Sequence, residues 1–422
     1  MLEEYSSRGG IATSYKRFIN KNFHALTHRD FRYYWFGQCI SLIGTWMQSI
    51  GQSWLVLSLT GSPFLLSLVG TIQFLPITFF SLFAGVFIDK YPKKRILLIT
   101  QVVSMILAFT LSFLVFTHTV KYIYIIILAL ILGITNTIDM PTRQSFTVEI
   151  AGKEDLINAI ALNSAVFNLA RILGPSIGAV FMAYFGAGWC FFFNGVSFIA
   201  VIFGLTRIKA KPYVRKISET KDMKSEILDG LKYIKEEPVL LQTLLLVTII
   251  GIFAFNYGVL VPVFTKSILH QNEKVYGILM SALGIGSLYG ALSVSRRNRT
   301  GPKMKLLLIS SIVVSAMLCV TGATKVYYLT SISLAITGIF NIYFSTTANS
   351  TLQIKAKDEY RARVMSVYAL VFAGVTPIGN TISGTIAEKL GAAWGFSLTG
   401  LASLVLIVIL IISFKKKNRL VV

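Results

Sequence analysis

Long apolar runs alternate with short polar segments along most of the chain. Each run holds about 20 residues, the length that crosses the hydrocarbon core of a bilayer as an α-helix. The pattern therefore predicts an all-α polytopic membrane protein. We place twelve transmembrane helices at roughly residues 33–58, 64–88, 96–116, 122–141, 157–183, 188–206, 239–264, 273–295, 304–322, 326–350, 362–386 and 392–413.

The second half of this pattern repeats the first. Residues 158–195 align with residues 363–400 without a gap, and identical pairs include Gly174 with Gly379 and Trp189 with Trp394. We therefore predict two six-helix pseudo-repeats. The expected domains are a cytoplasmic segment 1–32, an N-terminal half 33–208, a linker 209–238, a C-terminal half 239–413 and a basic tail 414–422.

The linker carries its own helical signal over residues 218–237. Met223, Ile227, Leu231 and Ile234 form one apolar stripe among lysine and glutamate side chains, and Pro238 ends the pattern. Such a stripe is typical of an amphipathic helix. We expect this helix to lie on the cytoplasmic membrane surface, where it joins the two halves.

Charge sets the orientation. Only 14% of the 422 residues are charged and 54% are hydrophobic, yet the net charge is +22. With the N-terminus inside, 34 of the 40 Lys and Arg residues fall in predicted cytoplasmic segments. This bias predicts that both termini are cytoplasmic. The charge is thus a topology signal, with attraction to anionic membrane lipid as a second effect, and does not predict a nucleic-acid partner.

Predicted span 1 has a polar face. Gln38, Ser41, Thr45, Gln48 and Gln52 follow one another at steps of three and four residues, so they share one side of the helix. Hydrocarbon cannot satisfy these groups, and they must contact protein or water. The stripe indicates either a water-filled cavity, which we favour, or hydrogen bonds between helices.

Predicted span 5 contains a charge near its middle, Arg171, one turn before Pro175. A charged residue inside a membrane is costly and marks a functional site by default. Asn168 is one turn away, and no acid is predicted at the same depth. Two structural alternatives are open. In the first, Arg171 donates hydrogen bonds to backbone carbonyls at the proline kink, and in the second it pairs with Asp139.

Predicted span 4 ends in a second polar group. Asp139 and Arg143 are four residues apart, so they share one helical face. They are candidate coupling residues, and a purely structural ion pair is an equally good interpretation.

The loop between spans 2 and 3 combines a small residue, one acid and a run of cations. Its members are Gly85, Asp89, Lys90, Lys93, Lys94 and Arg95. The glycine permits close helix packing, and the acid suits a helix N-terminus. An ordinary positive loop is the plain alternative, but the spacing resembles the loop 2–3 signature of the major facilitator superfamily. That resemblance implies a conformational latch formed by these six residues.

Other stretches resemble the macrolide-efflux and siderophore-exporter branch of that superfamily. They are residues 31–44, 59–63, 139–143, 162–175 and 361–366. The resemblance implies the major facilitator fold in a bacterial cytoplasmic membrane and export of amphipathic small molecules. Some relatives carry an acid in span 1 where this chain has Thr45, which weakens the case for a proton-binding carboxylate there.

The favoured hypothesis is proton-driven export of a drug, a macrolide-like compound or a siderophore by a monomer. The expected substrate cavity comprises Gln38, Ser41, Thr45, Gln48, Gln52, Asn168, Arg171, Thr376 and Asn380. A lipid or lysolipid translocator is the alternative within this fold. A membrane-embedded enzyme is disfavoured because all four histidines lie outside the predicted spans. Neither a cofactor nor a metal is expected.

Overall fold

The computed structural model describes residues 23–152, 154–209, 223–297 and 303–416. Within these ranges the chain forms a short 3₁₀ turn, His24–Thr27, and fifteen α-helices. They are α1 Arg29–Thr60, α2 Pro63–Lys90, α3 Lys93–Phe116, α4 Tyr122–Ala151, α5 Leu156–Phe185, α6 Ala187–Arg207, α7 Met223–Glu236, α8 Pro238–Phe253, α9 Tyr257–Ser267, α10 Glu273–Arg297, α11 Met304–Ala323, α12 Tyr327–Lys355, α13 Asp358–Gly374, α14 Thr376–Leu390 and α15 Ala392–Lys416.

These helices confirm the predicted all-α membrane fold. Eleven segments of the described chain are long and apolar enough to cross a bilayer. The twelfth predicted span is α1, which has 32 residues and carries the polar stripe that lowers its hydropathy. Spans 2 to 6 are α2 to α6, span 7 is α8 with α9, and spans 8 to 12 run from α10 to α15.

The expected end of span 4 was wrong. The prediction stopped this helix at residue 141, but α4 continues through Pro141 to Ala151. Proline removes one backbone hydrogen bond from a helix, and in a membrane span neighbouring groups can offset that loss. Asp139 and Arg143 therefore lie inside a continuous helix.

Two of the predicted spans are interrupted. Span 7 breaks between Phe253 and Tyr257, and span 11 breaks at Val375. In span 11, Pro377 follows the break and cannot donate a backbone hydrogen bond to the preceding turn. The two breaks are neighbours, because a Cβ built on Gly251 would lie 2.7 Å from the Val375 side chain.

The two halves meet mainly through two pairs of helices, with smaller contacts of α9 on α1 and α2. Within the N-terminal half α1 packs on α5 and α6, and within the C-terminal half α10 and α11 pack on α12. Between the halves, α5 packs on α10 and α2 packs on α14. All four helices of this interface thus flank the space between the halves.

The linker helix α7 docks on α13, and its expected position on the cytoplasmic membrane surface stays a prediction. Tyr233 stacks on Tyr360 of α13 with ring centroids 4.3 Å apart, and its hydroxyl accepts the backbone N–H of Lys357. Ile234 is buried in the same cluster, while Leu231 is exposed. The stripe is therefore divided between protein and surroundings at these two positions, and the side chains of Met223 and Ile227 lie outside the described part. Residues 210–222 lie outside the described part.

The 3₁₀ turn ties the start of α1 to the start of α5. His24 and His28 contact the two carboxylate oxygens of Asp155 at 2.9 and 2.6 Å. The hydrogen bond from His28, followed by that from His24, holds the pKa of the Asp155 carboxyl below its usual range. Asn158 also accepts the backbone N–H of Ala25. These contacts fix the entry to the membrane domain.

Some helix crossings leave no room for a side chain. A Cβ on Gly286 of α10 would lie 1.9 Å from the carbonyl oxygen of Ala335 on α12, and one on Gly338 would lie 2.2 Å from that of Leu283. Small residues of this kind let membrane helices approach closely. The α10–α12 contact therefore depends on both glycines.

We predict that Gly286→Ala lowers the stability of the purified protein by about 1–3 kcal/mol, since the obstructing atom is backbone and the helices must separate. Gly258→Ala in α9 is the matched control, because its Cβ would meet only Ser53 at 3.9 Å. Thermal unfolding in detergent measures both. Equal melting temperatures for the two variants would contradict the close-crossing argument.

Candidate functional site

The halves are joined near one membrane face. We call the face where α1 begins and α15 ends the terminal face, and the other the opposite face. Among described residues, the hydrogen bonds between the halves lie toward the opposite face. For example, the hydroxyls of Thr71 and Thr381 are 3.1 Å apart, and Trp54 stacks on Tyr276. The space between the halves is therefore closed at the opposite face.

Two charged side chains hold this closure, which we call the opposite-face gate. Glu388 of α14 accepts hydrogen bonds from the Ser62 hydroxyl and from the backbone N–H of Phe64, at the N-terminus of α2. Lys266 of α9 donates to the Leu57 carbonyl near the C-terminus of α1 at 3.1 Å. Each charge has the sign that its helix end favours. The gate thus uses helix dipoles as well as direct bonds.

Arg171 lies in the middle of α5 and on the side of the space between the halves. Its side chain is half-buried, and among described residues it forms no ion pair. Tyr368 of α13, in the other half, is within electrostatic reach of the guanidinium. The alternative of a reach to Asp139 lacks support here, since that carboxylate pairs with Arg143, Thr100 and Gln101. A role of Arg171 in binding a ligand stays a prediction.

The wall that faces Arg171 is aromatic. Tyr368 packs on Phe372 at 5.7 Å, and Phe372 packs on Phe255 at 5.8 Å, in the gap between α8 and α9. The side chain of Asn349 on α12 lies beside the Tyr368 hydroxyl. Apolar lining with a few well-placed polar groups is the usual composition of a small-molecule site. The site therefore combines one cation with a ring-lined surface.

The polar stripe of α1 is divided by its neighbours. Thr45 is exposed, and it lies on the other side of α1 from Ile40. Gln52 is half-buried. Gln38 and Ser41 are buried, and Gln48 is buried because it accepts a 2.6 Å hydrogen bond from Asn194 of α6. At Gln48 the helix–helix interpretation therefore holds in this conformation. The water-filled interpretation stays a prediction for Thr45 and Gln52.

The remaining cavity candidates lie at different depths. Asn168 is exposed one turn from Arg171, and its side-chain amide donates to the Ser164 carbonyl. Thr376 follows the break in span 11. Asn380 lies closer to the opposite-face gate, with its side-chain nitrogen 2.7 Å from a Cβ built on Gly70. Asn168 is thus the candidate nearest in sequence to the Arg171 site.

Asp139 and Arg143 form a buried cluster inside the N-terminal half. The Asp139 carboxylate accepts hydrogen bonds from Thr100 at 2.6 Å and Gln101 at 2.9 Å, and pairs with Arg143. Tyr34 of α1 lies beside Arg143, whose Nη1 has no partner among the described residues. The cluster links α1, α3 and α4 and is separate from Arg171.

The described latch cations make contacts within the N-terminal half. Lys93 pairs with Glu149 of α4 at 2.6 Å, and Lys94 donates to the Ile208 carbonyl at the end of α6 at 2.7 Å. Arg95 is exposed. The surroundings of Gly85 and the side chains of Asp89 and Lys90 lie outside the described part of the structure. The latch therefore stays a prediction.

Sequence reasoning did not find the aromatic wall or the gate. Phe372 had one available signal, because it matches Phe167 in the internal repeat. Tyr368 and Phe255 look like ordinary aromatic residues of an apolar run. Glu388 and Lys266 look like charges at helix ends.

A two-fold set of six membrane-crossing segments, closed at one face around a central charge, is typical of secondary membrane transporters. The chain belongs to the transmembrane secretion effector family of the major facilitator superfamily, whose model matches residues 20–419. This confirms the resemblance seen in the sequence.

Similar proteins are transporters of the efflux type. The staphyloferrin A transporter of Staphylococcus aureus is 27% identical, over 88% of this chain and 93% of its own length. The multidrug efflux pump Tap of Mycolicibacterium fortuitum is 26% identical, over 82% and 87%. Macrolide efflux protein A of Streptococcus pyogenes is 20% identical, over 87% and 91%.

Solved structures show the same fold. The nucleoside transporter NupG superposes with a TM-score of 0.68 at 13% identity, covering 92% of this chain and 99% of that one. A bacterial homologue of the human lysosomal transporter Spinster, inward-facing and unoccupied, gives 0.66 at 12% identity, covering 92% and 95%. Both confirm the predicted major facilitator fold.

We predict that cysteine at Thr45 reacts at least about tenfold faster with a polar maleimide than cysteine at Gln48, after Cys39, Cys190 and Cys319 are replaced. Thr45 is exposed and Gln48 is buried against Asn194. A thiol must reach water to ionise and react. Labelling rates on the folded protein measure this, and equal rates at the two positions would contradict the assigned burial.

We predict that Glu388→Gln weakens the opposite-face gate, because the amide removes the charge that the α2 N-terminus favours, by about 0.3–1 kcal/mol. The gate should open more often, so the cysteine at Thr45 becomes accessible to an impermeant maleimide from the opposite face. Lys389→Gln is the matched control, since no contact of Lys389 with α1 or α2 is seen in the described residues. Unchanged labelling from that face in Glu388→Gln would contradict the gate.

Proposed function

We propose that this transporter exports an amphipathic small molecule with an anionic or carbonyl-rich group, by alternating access. The observation that carries the proposal is Arg171, a half-buried cation at mid-membrane without an ion-pair partner in the described chain. A guanidinium presents a planar fork of donors that matches a carboxylate or paired carbonyl oxygens. The charged end of the substrate would therefore bind α5.

The aromatic wall would bind the apolar part of the same substrate. Phe255, Phe372 and Tyr368 stand on the C-terminal half, across the space from Arg171. Burying apolar surface there contributes about 25 cal/mol per Å². A substrate that contacts both walls touches both halves, which is what coupling of binding to their relative movement requires.

Export is supported by the relatives and by the distribution of charge. The similar proteins include a siderophore-type transporter and drug or macrolide efflux proteins by their names. Most Lys and Arg residues belong to segments at the terminal face. By the positive-inside rule we assign that face to the cytoplasm. A space closed at the opposite face would then open toward the cytoplasm, where an exporter loads.

Proton coupling is the driving force that we propose. Asp139 is enclosed within the N-terminal half and could carry a proton only if its contacts with Thr100, Gln101 and Arg143 rearrange. Glu388 lies at the opposite-face gate and is exposed. Asp139 thus lies inside the N-terminal half toward the terminal face, and Glu388 lies at the opposite face.

The direct test is transport by purified protein in liposomes with an imposed pH gradient. The screened compounds are amphipathic drugs, macrolides, carboxylate-bearing siderophores and lysolipids. We expect gradient-dependent movement of an acidic or carbonyl-rich amphipathic compound. Movement of lysolipids alone would favour the lipid translocator instead, and loss of gradient dependence would remove the proton from the mechanism.

We predict that Arg171→Lys folds but transports at least about tenfold more slowly, because the charge remains while the planar fork is lost. Arg171→Ala should also lose transport and keep most of its thermal stability, since no structural salt bridge is removed. Transport rate and melting temperature are measured on both variants. An unstable but fully active Arg171→Ala protein would refute the cavity role.

A further inference from the structure

An apolar groove lies on the outside of the N-terminal half, away from the transport path. It runs along the crossing of α1 and α6 near the terminal face and has a volume of about 300 Å³. It is lined by Arg32, Tyr33, Phe36, Gly37, Ile40, Ala200, Phe203 and Gly204. Phe36, Ile40 and Phe203 are 55%, 53% and 53% exposed, so the groove opens to the bilayer.

Glycines shape the floor of this groove. A Cβ on Gly37 would lie 2.9 Å from the Ala200 carbonyl oxygen, and one on Gly204 would lie 2.6 Å from that of Tyr33. The two helices therefore touch through their backbones, and the larger side chains stand on either side as walls. From Arg32 to Ile40 the groove extends about 12 Å along α1. Part of an acyl chain fits this length.

Three arginines surround the mouth of the groove. Arg32 lines it directly, Arg29 lies 5.6 Å from the Tyr33 ring, and Arg207 lies 4.9 Å from the Phe203 ring. Both of these rings belong to the groove. The acid nearest to them in sequence is Asp30, and its carboxylate accepts the backbone N–H of Lys209. Asp155, also near the start of α1, contacts His24 and His28. The mouth is thus strongly cationic.

We infer that this groove binds one anionic phospholipid, with an acyl chain between α1 and α6 and the phosphate among the three arginines. Charge complementarity selects the occupant. A cationic mouth at headgroup level above an apolar slot matches an anionic lipid better than a neutral one. The lipid contacts the first helix of the N-terminal half, α1, and also its last helix, α6. Its site is separate from the substrate path around Arg171.

The test is lipid binding to the purified full chain in a non-ionic detergent. Native mass spectrometry counts bound phosphatidylglycerol and phosphatidylcholine during titration, with glycerol phosphate as the headgroup alone. We expect one phosphatidylglycerol to bind more tightly than phosphatidylcholine. Each lost cation near a membrane surface should weaken an anionic lipid about fivefold, so Arg32→Gln and Arg207→Gln should each reduce its affinity by that factor.

Two further variants separate the headgroup from the acyl chain. Ala200→Leu fills the slot without changing charge and should lower the affinity for phosphatidylglycerol, while melting in lipid-free detergent stays near that of the parent protein. Lys305→Gln removes an exposed cation at the start of α11, on the same face but away from the groove, and should leave binding unchanged.

The inference is overturned if the parent protein binds the two lipids equally, or if both arginine variants retain full affinity for phosphatidylglycerol. Binding of glycerol phosphate as tightly as the whole lipid would also overturn it, because the slot would then contribute nothing. Should Ala200→Leu fail to fold, the arginine variants and the lipid comparison still decide.

Discussion

Hydrocarbon offers no hydrogen-bond partners, and this constraint shapes where the polar groups of the membrane-spanning helices lie. Backbone groups are satisfied within helices, and side chains such as Gln48 and Asn194 satisfy each other between helices. Asp139 collects three donors from α3 and α4 for the same reason. Against this background Arg171 is unusual, because it is a half-buried cation without an ion-pair partner among the described residues. In our proposal, the water and substrate of the central path supply that partner.

The major facilitator fold was predictable because its signals are long and repeated. Apolar runs, the bias of Lys and Arg, and the repeat between residues 158–195 and 363–400 all act over many residues. Arg171 was found because a charge inside an apolar run is conspicuous. The ends of helices were less predictable: Pro141 suggests a stop, but α4 passes through it to Ala151. A local backbone preference cannot show which neighbouring groups offset its cost.

The rest of the site depends on tertiary contacts that periodicity does not encode. Steps of three and four residues place Gln48 and Thr45 on one face, but only the position of Asn194 decides that one is buried and the other exposed. Tyr368 reaches Arg171 from the other half of the molecule, and nothing in the spacing of aromatic residues marks it. Glu388 acquires its role from the N-terminus of a helix more than 300 residues earlier. Such pairings require the packed structure.

The interrupted helices give the C-terminal half a different mechanical character from the N-terminal half. An unbroken helix is stiff, so a displacement of one end also displaces the other end. Spans 7 and 11 are interrupted at the same depth, and the two breaks are neighbours at Gly251 and Val375. The pieces nearer the opposite face, α9 and α14, hold the opposite-face gate through Lys266 and Glu388. The piece of span 11 nearer the terminal face, α13, bears Tyr368. A break between two pieces of a span lets their angle change without unfolding either piece. The C-terminal half therefore has a bending point in two neighbouring spans at the depth of Phe255 and its aromatic neighbours, whereas each described span of the N-terminal half is a single helix.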